Sequence, residues 1–179
     1  MSTFYKDGVI AIPNVTGDLE ITVTAVKSAP SYTNQIPIST DTDSSIYNGI
    51  GYMLNMRLPS NGVPTAADGC LVTGFIPFSV GDTIRVNKFC AVASYQSNAK
   101  VFFYKAGHTK IAATSAYHLS NDGTYVFAQP LTWIPGNTIH DSGSGNTVDI
   151  SEAAYFRLSI GGYNDVAADI ICTINEEIT

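Results

Sequence analysis

Charged residues are scarce in this chain, where Asp, Glu, Lys and Arg together make up 13% of 179 residues. Nine basic residues against fifteen acidic ones give a formal net charge of −6 and leave no basic stripe that could neutralise nucleic-acid phosphates or an anionic membrane surface. No apolar run approaches the roughly 20 residues of a transmembrane helix. We therefore expect neither nucleic acid nor a membrane as a partner.

Cysteine is also sparse, and its pattern argues against a disulfide framework. Cys70, Cys90 and Cys172 are an odd number at wide spacings, and each lies in an apolar or alternating run instead of a C-x-x-C pair. The prediction is three buried free thiols that pack as small hydrophobic groups. A bridge between Cys70 and Cys172 on neighbouring strands is the alternative.

Catalytic and metal-binding motifs are missing. His108, His118 and His140 are far apart, no G-x-S-x-G elbow or phosphate-cradling glycine loop occurs, and Asp41-Thr42-Asp43 has no further carboxylate at calcium-ligand spacing. The acidic residues mostly fall in turns, where a carboxylate caps its own backbone: Asp68, Asp82, Asp122, Asp141, Asp149, Asp165 and Asp169. We expect no enzyme activity, no metal and no cofactor.

The sequence is rich in β-branched residues, Ser, Asn, Gly and aromatics, which predicts an all-β protein whose size allows about 70% of its unfolded surface to be buried. Eight strand runs between turn signals predict an antiparallel β-sandwich. They are residues 50–58, 70–78, 83–89, 100–105, 110–117, 125–134, 155–160 and 170–175. The run at 100–105 is apolar on both faces, which is typical of a central strand.

Turns and long loops complete the predicted sandwich. Gly81 is expected to supply a positive φ in the turn after Phe78, and Asp122-Gly123 is a hairpin signal. The runs at 155–160 and 170–175 are predicted to pair as a closing hairpin. The connections at 59–69 and 135–149 are predicted to be long loops at the sandwich edges, where binding residues often collect.

The first 27 residues are predicted to be a separate β-hairpin. Residues 8–12 and 18–26 are two strand runs joined by a Pro and Gly connection, and residues 28–37 have the composition of a linker. The phrase GVIAIPNVTGDLEITVTA resembles the last two strands of a bacterial immunoglobulin-like repeat. The expected division is a hairpin remnant at 1–27, a linker at 28–37 and a sandwich domain at 38–179.

Several phrases of the main domain, together with its ending, resemble the jelly-roll C-terminal domain of phage and prophage tail, baseplate or fibre proteins of Gram-positive bacteria. The phrases are YNGIGY, NMRL, DGCLVTGFIP, VGDTIR, FFY, FRLS and TINEEI. The resemblance covers residues 46–179 and implies attachment to carbohydrate on the host cell surface, commonly as a homotrimer together with other tail proteins. Since residues 1–8 lack the apolar core of a signal peptide, the expected location is the virion, after synthesis in the host cytoplasm and release by lysis.

Sugar binding needs a flat ring that stacks on the C–H face of a pyranose, and amide or carboxylate groups that fix its hydroxyls. Trp133 precedes the loop at 135–149, and Tyr163, Asn164 and Asp165 share the last predicted loop. Tyr47 and Tyr52 flank glycines. These six residues are the candidate carbohydrate site, with core packing of Trp133, strand packing of the two tyrosines and an ordinary turn at 163–165 as the alternatives.

Arg57 and Arg157 occupy polar positions of their strands, which favours surface or intersubunit ion pairs over ligand contacts.

Two other functions stay open at this point. One is a structural module, a trimerising tip or particle-decoration protein, which would bury its apolar strands against sister subunits. The other is a polysaccharide depolymerase or esterase, which would require a deep cleft with paired carboxylates or a Ser and His in contact.

Overall fold

The computed structural model describes residues 4–6, 9–11, 32–36, 51–90, 97–115, 131–162 and 170–178. All regular structure within these ranges is β-strand. In chain order the strands are β1 (Phe4–Lys6), β2 (Val9–Ala11), β3 (Tyr52–Arg57), β4 (Thr65–Thr73), β5 (Ile76–Pro77), β6 (Ile84–Val86), β7 (Lys100–Tyr104), β8 (Lys110–Ser115), β9 (Leu131–Trp133), β10 (Thr138–His140), β11 (Thr147–Asp149), β12 (Tyr155–Gly161) and β13 (Cys172–Ile174).

The strands form two main antiparallel sheets. The large sheet has the order β3-β4-β12-β7-β8, and the short strand β5 also pairs with β12. The small sheet has the order β13-β6-β9. Strands β10 and β11 form a separate hairpin, as do β1 and β2. Every pairing between these strands is antiparallel.

One hydrophobic core joins the two main sheets. Alternate side chains of β7 and β12 point to it, including Phe103, Phe156 and Leu158, and they share one cluster with Ile84 and Leu131 of the small sheet. This is the expected consequence of period-2 alternation on two facing sheets. The predicted all-β antiparallel sandwich is therefore confirmed, whereas its jelly-roll connectivity stays a prediction.

The prediction of a central apolar strand at 100–105 is confirmed by β7. This strand lies between β12 and β8, and its four residues from Val101 to Tyr104 are buried. Val101 and Phe103 face the core between the sheets, while Phe102 and Tyr104 belong to a second apolar cluster on the outer face of the large sheet. The large sheet thus buries side chains on both faces.

The outer cluster is covered by residues 58–64, which we call the roof. Leu58 is buried in the cluster, and its backbone N–H donates to Ser159 Oγ on β12. Lys110 of β8 donates from Nζ to the carbonyl oxygen of Ser60. A Cβ placed on Gly62 would lie 3.5 Å from the Tyr104 hydroxyl. The chain therefore leaves β3, crosses over β12, β7 and β8, and returns to begin β4.

Both predicted long loops contain strand structure. The connection at 59–69 supplies the roof and then the first half of β4, which pairs with β3 through Met56 and Ala66. The connection at 135–149 contains the hairpin of β10 and β11. Neither segment has the apolar alternation of a core strand, because none of residues 65–68 is buried and Ile139 is the one buried strand residue of β10 and β11. The description of these segments as long loops was therefore wrong.

The prediction that the runs at 155–160 and 170–175 pair as a closing hairpin is also wrong. Strand β12 uses both edges within the large sheet, pairing with β4 and β5 on one side and β7 on the other. Strand β13 instead pairs with β6 in the small sheet. The alternating patterns of the two runs were read correctly as strands, but alternation reports only which face is buried and not which strand is the neighbour.

Strand β2 covers most of the predicted run at 8–12, and its partner is β1, with Tyr5 opposite Ile10. The predicted partner run at 18–26 lies outside the described residues. The positive φ predicted for Gly81 is confirmed at 96°. The described part of the chain contains no helix long and apolar enough to span a membrane.

Candidate functional site

An aromatic surface lies on the outer face of the large sheet, beside the roof. This aromatic surface consists of Phe75, His108 and Tyr155. Phe75 follows β4, His108 lies in the turn between β7 and β8, and Tyr155 begins β12. Phe75 and Tyr155 are half-buried against the outer apolar cluster, and His108 is exposed.

The rings are arranged as a short stack with a side wall. The imidazole of His108 lies parallel to the Phe75 ring, with 3.9 Å between centroids and 5° between planes. The ring of Tyr155 stands at 72° to the imidazole, with 4.9 Å between centroids. Because Phe75 covers one face of the imidazole, the exposure of His108 comes from its other face and its edge. A flat apolar ligand face would stack there, with the tyrosine beside it.

Phe75 is held from beneath by a buried cation. The Arg157 guanidinium carbon lies 4.9 Å from the Phe75 ring centroid, and since His108 covers one face of that ring, the guanidinium occupies the other. Arg157 is 3% exposed, and its Nε donates to the carbonyl oxygen of Thr73 at 2.8 Å. The order from interior to solvent is guanidinium, phenyl, imidazole. Such stacking of a cation on an aromatic face is favourable.

The burial of Arg157 corrects the prediction of a surface or intersubunit ion pair at this position. Its polar alternation on β12 is real, but the outer face to which it points is covered. Tyr104 lies beside it, with its ring edge-on to Phe75 at 4.9 Å between centroids. Burial raises the pKa of the Tyr104 hydroxyl, and the charge of Arg157 offsets part of that rise. Arg57 is half-buried and donates from Nη1 to Asn98 Oδ1 at 2.8 Å.

The turn that presents His108 has an uncommon residue at its left-handed position. The Lys105 N–H donates to the Thr109 carbonyl, and the His108 N–H donates to the Lys105 carbonyl, both at 2.9 Å. His108 has a φ of 61°. This position in such hairpins usually takes glycine, yet the glycine here is the preceding residue, Gly107. The backbone therefore accepts an unfavourable conformation at the residue that carries the exposed ring.

A cavity of about 220 Å³ lies on the other side of the same turn, and we call it the turn cavity. Its lining combines charged, hydroxyl and aliphatic groups: Lys105, Ile111, Asp149, Ser151 and Glu152. Lys105 and Glu152 form an ion pair. Asp149 accepts a hydrogen bond from the Ser151 N–H at 2.8 Å, and this contact, with the one from the Ser151 side chain, lowers the pKa of the carboxyl.

A second cavity, of about 200 Å³, lies at the small sheet. It is lined by Arg85, Asn87, Leu131, Thr132, Glu177 and Ile178. Arg85 forms an ion pair with Glu177 and also donates to the carbonyl oxygen of Glu176 at 3.4 Å. These contacts hold the chain after β13 against the small sheet. The charged residues that line this cavity therefore have a structural role.

The predicted site residues are not brought together in the described part of the chain. Tyr52 is 6% exposed and packs in the core between the sheets. Trp133 is half-buried in the small sheet, and its ring meets Phe103 edge-on at 5.7 Å between centroids. These positions correspond to the strand-packing and core-packing alternatives. Tyr47, Tyr163, Asn164 and Asp165 lie outside the described residues.

The aromatic surface was not identified from the sequence. Its three residues are far apart in the chain, and each lies at or beyond a strand end, where periodicity carries no information. The one local signal is the order Gly107-His108, because a residue other than glycine at the left-handed position of a tight hairpin is uncommon. Recognising that signal requires the turn hydrogen bonds, which the sequence does not show.

Most of the predicted turn carboxylates that lie within the described residues accept hydrogen bonds from backbone N–H groups. Asp82 accepts from the Ser79 N–H at 2.7 Å, and Asp141 accepts from Ala113 and Ser144 N–H groups at 2.9 and 2.8 Å. The three cysteines are buried and none forms a disulfide, which confirms that prediction over the Cys70 and Cys172 bridge. Within the described ranges, no group of three His, Cys, Asp or Glu side chains is placed to hold a metal ion.

Comparisons with protein families, with curated proteins and with solved structures found no match for this chain.

Proposed function

We propose that this chain is a host-attachment module of a phage tail, a jelly-roll domain that binds bacterial cell-surface carbohydrate without catalysing a reaction. The observation that carries the proposal is the exposed imidazole of His108, held flat on Phe75 with Tyr155 as a side wall. A pyranose presents an apolar C–H face to such a ring. The sequence resemblance supports the tail location and a homotrimeric assembly.

The groups around the imidazole are engaged in ring packing and hydrogen bonds, which favours binding over catalysis. Both partners of the imidazole are rings anchored to the large sheet, and the guanidinium beneath them is buried and hydrogen bonded. The buried carboxylate of Asp141 is committed to backbone N–H groups. A shallow open surface of this kind binds each sugar weakly, and a trimer displayed in several copies multiplies the weak contacts.

The test is a glycan array of bacterial surface saccharides probed with the purified protein, with light scattering for its mass. We expect saturable binding by the unaltered protein and its loss in His108→Ala and Tyr155→Ala. His140→Ala is the matched control, because His140 is an exposed histidine of β10 outside the aromatic surface. Trp133→Ala and Tyr163→Ala test the residues indicated by the sequence.

Two results would overturn the proposal. A trimer that binds no glycan would favour the structural module, and cleavage of capsule or teichoic-acid substrates would favour the enzyme. Binding that survives His108→Ala and Tyr155→Ala but is lost in Trp133→Ala would keep the function and move the site to the small sheet.

A further inference from the structure

The turn cavity and the aromatic surface are two sides of one structural element. The β7–β8 turn contributes Lys105 to the cavity and His108 to the aromatic surface. The segment that leads into β12 also contributes to both, since Glu152 lines the cavity and Tyr155, the first residue of β12, stands beside the imidazole. Ala154 between them donates its N–H to the Tyr104 carbonyl at 2.9 Å, which fixes the two elements together. Residues 105–108 and residues 152–155 therefore connect the cavity directly to the aromatic surface.

The hydrogen-bonding groups of the cavity suit sugar hydroxyls. Asp149 and Glu152 accept hydrogen bonds, Lys105 donates, and the Ser151 hydroxyl does both. Ile111 adds an aliphatic wall. Hydroxyl groups both donate and accept, so a sugar ring can use all of these partners, whereas a purely apolar ligand would displace the water around them and supply no hydrogen bond in its place.

The charge of the lining selects against an anionic ligand. Two carboxylates and one ammonium give a net charge of about −1 for the lining at neutral pH, counted from Asp149, Glu152 and Lys105. The single cation is already paired with Glu152. A uronic acid or phosphate placed here would meet an additional negative charge, which costs affinity. A neutral, hydroxyl-rich ring meets no such penalty.

The size of the cavity limits what it holds. Its volume of about 220 Å³ is below the ~300–1,000 Å³ of sites for drug-sized ligands. One sugar ring is the appropriate occupant, and the rest of the ligand must lie outside, on the aromatic surface.

We propose that the turn cavity is a second sugar subsite, which takes a neutral ring of the same glycan that stacks on His108. The proposal rests on the proposed carbohydrate-binding function and adds the ligand class, a neutral oligosaccharide of at least two rings that spans the β7–β8 turn. Tyr155 and His108 hold one ring, and Asp149, Glu152 and Lys105 hold the hydroxyls of the next.

The experiment is titration calorimetry of the full chain with neutral galacto-oligosaccharides and gluco-oligosaccharides of one to four units, and with galacturonic acid oligomers of the same lengths. We expect affinity to rise about tenfold or more from one unit to two or three, because the second ring gains hydrogen bonds to charged groups. The acidic oligomers should bind at least about tenfold more weakly than the neutral ones.

Asp149→Asn and Glu152→Gln are the site variants. We expect each to weaken binding of the neutral trisaccharide about tenfold and to leave binding of the single sugar unchanged. Glu177→Gln is the matched control, because Glu177 is equally exposed and ion-paired, with a side chain 74% exposed against 71% for Glu152. This variant should leave binding of both the single sugar and the trisaccharide unchanged.

The outcomes separate the two proposals. Binding that is lost in His108→Ala but has no length dependence, and that Asp149→Asn and Glu152→Gln leave intact, would overturn the second subsite and keep the carbohydrate-binding function. Preference for the acidic oligomers would overturn the neutral-ligand assignment. Absence of binding to these oligomers and to every glycan on the array would overturn both.

Discussion

Phe75 and His108 lie face to face, with ring centroids 3.9 Å apart and planes 5° from parallel, although 33 positions separate them in the chain. The contact joins the end of β4 to the β7–β8 turn across the large sheet. It also fixes the direction of the imidazole, because the guanidinium of Arg157 closes the other face of Phe75. The orientation of the exposed ring is therefore set by the interior of the outer cluster.

Two variants of His108 should separate the stabilisation from its stacked ring from the cost of its left-handed backbone. His108→Ala removes the stacked ring, which costs about 0.5–1.5 kcal/mol, and keeps a β-carbon at a φ of 61°. His108→Gly removes the same ring but relieves the left-handed backbone, worth about 1 kcal/mol. We expect the glycine variant to have the higher free energy of unfolding in urea, and both variants to lose glycan binding. Equal stability of the two variants would show that the turn carries no strain.

Much of the fold could be predicted from the sequence because strand alternation and turn chemistry are local signals. The runs at 100–105 and 110–117 became β7 and β8, and Gly81 has its predicted positive φ. The neighbour relations could not be predicted in the same way. The runs at 155–160 and 170–175 belong to different sheets, and nothing local distinguishes a strand that turns back on itself from one that crosses to the facing sheet.

The candidate site was predicted less well for a related reason. Tyr52 was chosen because it lies beside glycines and Trp133 because it precedes a predicted loop, yet both pack with the core. The aromatic surface depends on the outer face of the large sheet, and the sequence pattern of β7 showed only that both faces of this strand are apolar. Only long-range contacts show that the cover on one face of β7 is the roof, in which Gly62 approaches Tyr104.

Arg157→Lys should destabilise the protein more than the same change at Arg57. Lysine cannot reproduce the planar guanidinium that lies on Phe75 while Nε donates to the Thr73 carbonyl. We expect a loss of about 1–3 kcal/mol from the free energy of unfolding. Arg57→Lys is the control, since Arg57 is half-buried and bonds to Asn98 through one terminal nitrogen. Equal losses measured by urea denaturation would mean that the buried stack adds nothing.

Gly62→Ala should loosen the roof. Gly62 has a φ of 75°, and an added Cβ would lie 3.2 Å from Lys110 Cδ. The left-handed backbone alone costs about 1–2 kcal/mol for a residue other than glycine. Gly81→Ala is the matched control, because its φ is 96° and nothing lies within 4 Å of its added Cβ. We expect the Gly62 variant to be the less stable by urea denaturation, with the difference reporting the close approach to the outer cluster. A smaller loss at Gly62 than at Gly81 would contradict the tight roof.

The three thiols should be inert in the folded protein. Cys70, Cys90 and Cys172 are at most 2% exposed, and burial raises the pKa of Cys70 and, more strongly, of Cys172. Since the thiolate is the reactive form, we expect no rapid reaction with Ellman's reagent at pH 8 and three equivalents in urea. The mass should be the same with and without reductant. One thiol that reacts rapidly in the native protein would place that cysteine at the surface.

Asp141 should make stability depend on acid pH. Burial raises the pKa of this carboxyl, but hydrogen bonds from Ala113, Ser144 and Gly143 outweigh that and leave it below its ordinary value. A pKa lowered by folding means stabilisation that is full above the unfolded-state pKa of about 3.9 and lost as pH falls through the folded-state pKa.

Asp141→Asn isolates this effect. The amide keeps one oxygen for the Ala113 N–H but cannot accept from the Ser144 N–H with its nitrogen, so we expect a loss of about 1–2 kcal/mol at pH 7. The difference from the unaltered protein should begin to shrink below about pH 5 in thermal unfolding, because the carboxyl of the unfolded chain takes up a proton there while the folded carboxyl stays ionised, and it should go on shrinking as pH falls through the lowered folded-state pKa. Asp149→Asn serves as the exposed control, because Asp149 also accepts a backbone N–H but lies at the surface. A difference between Asp141→Asn and the unaltered protein that stays constant down to pH 3 would show that the charge of Asp141 does not contribute to the stability of the β10–β11 loop.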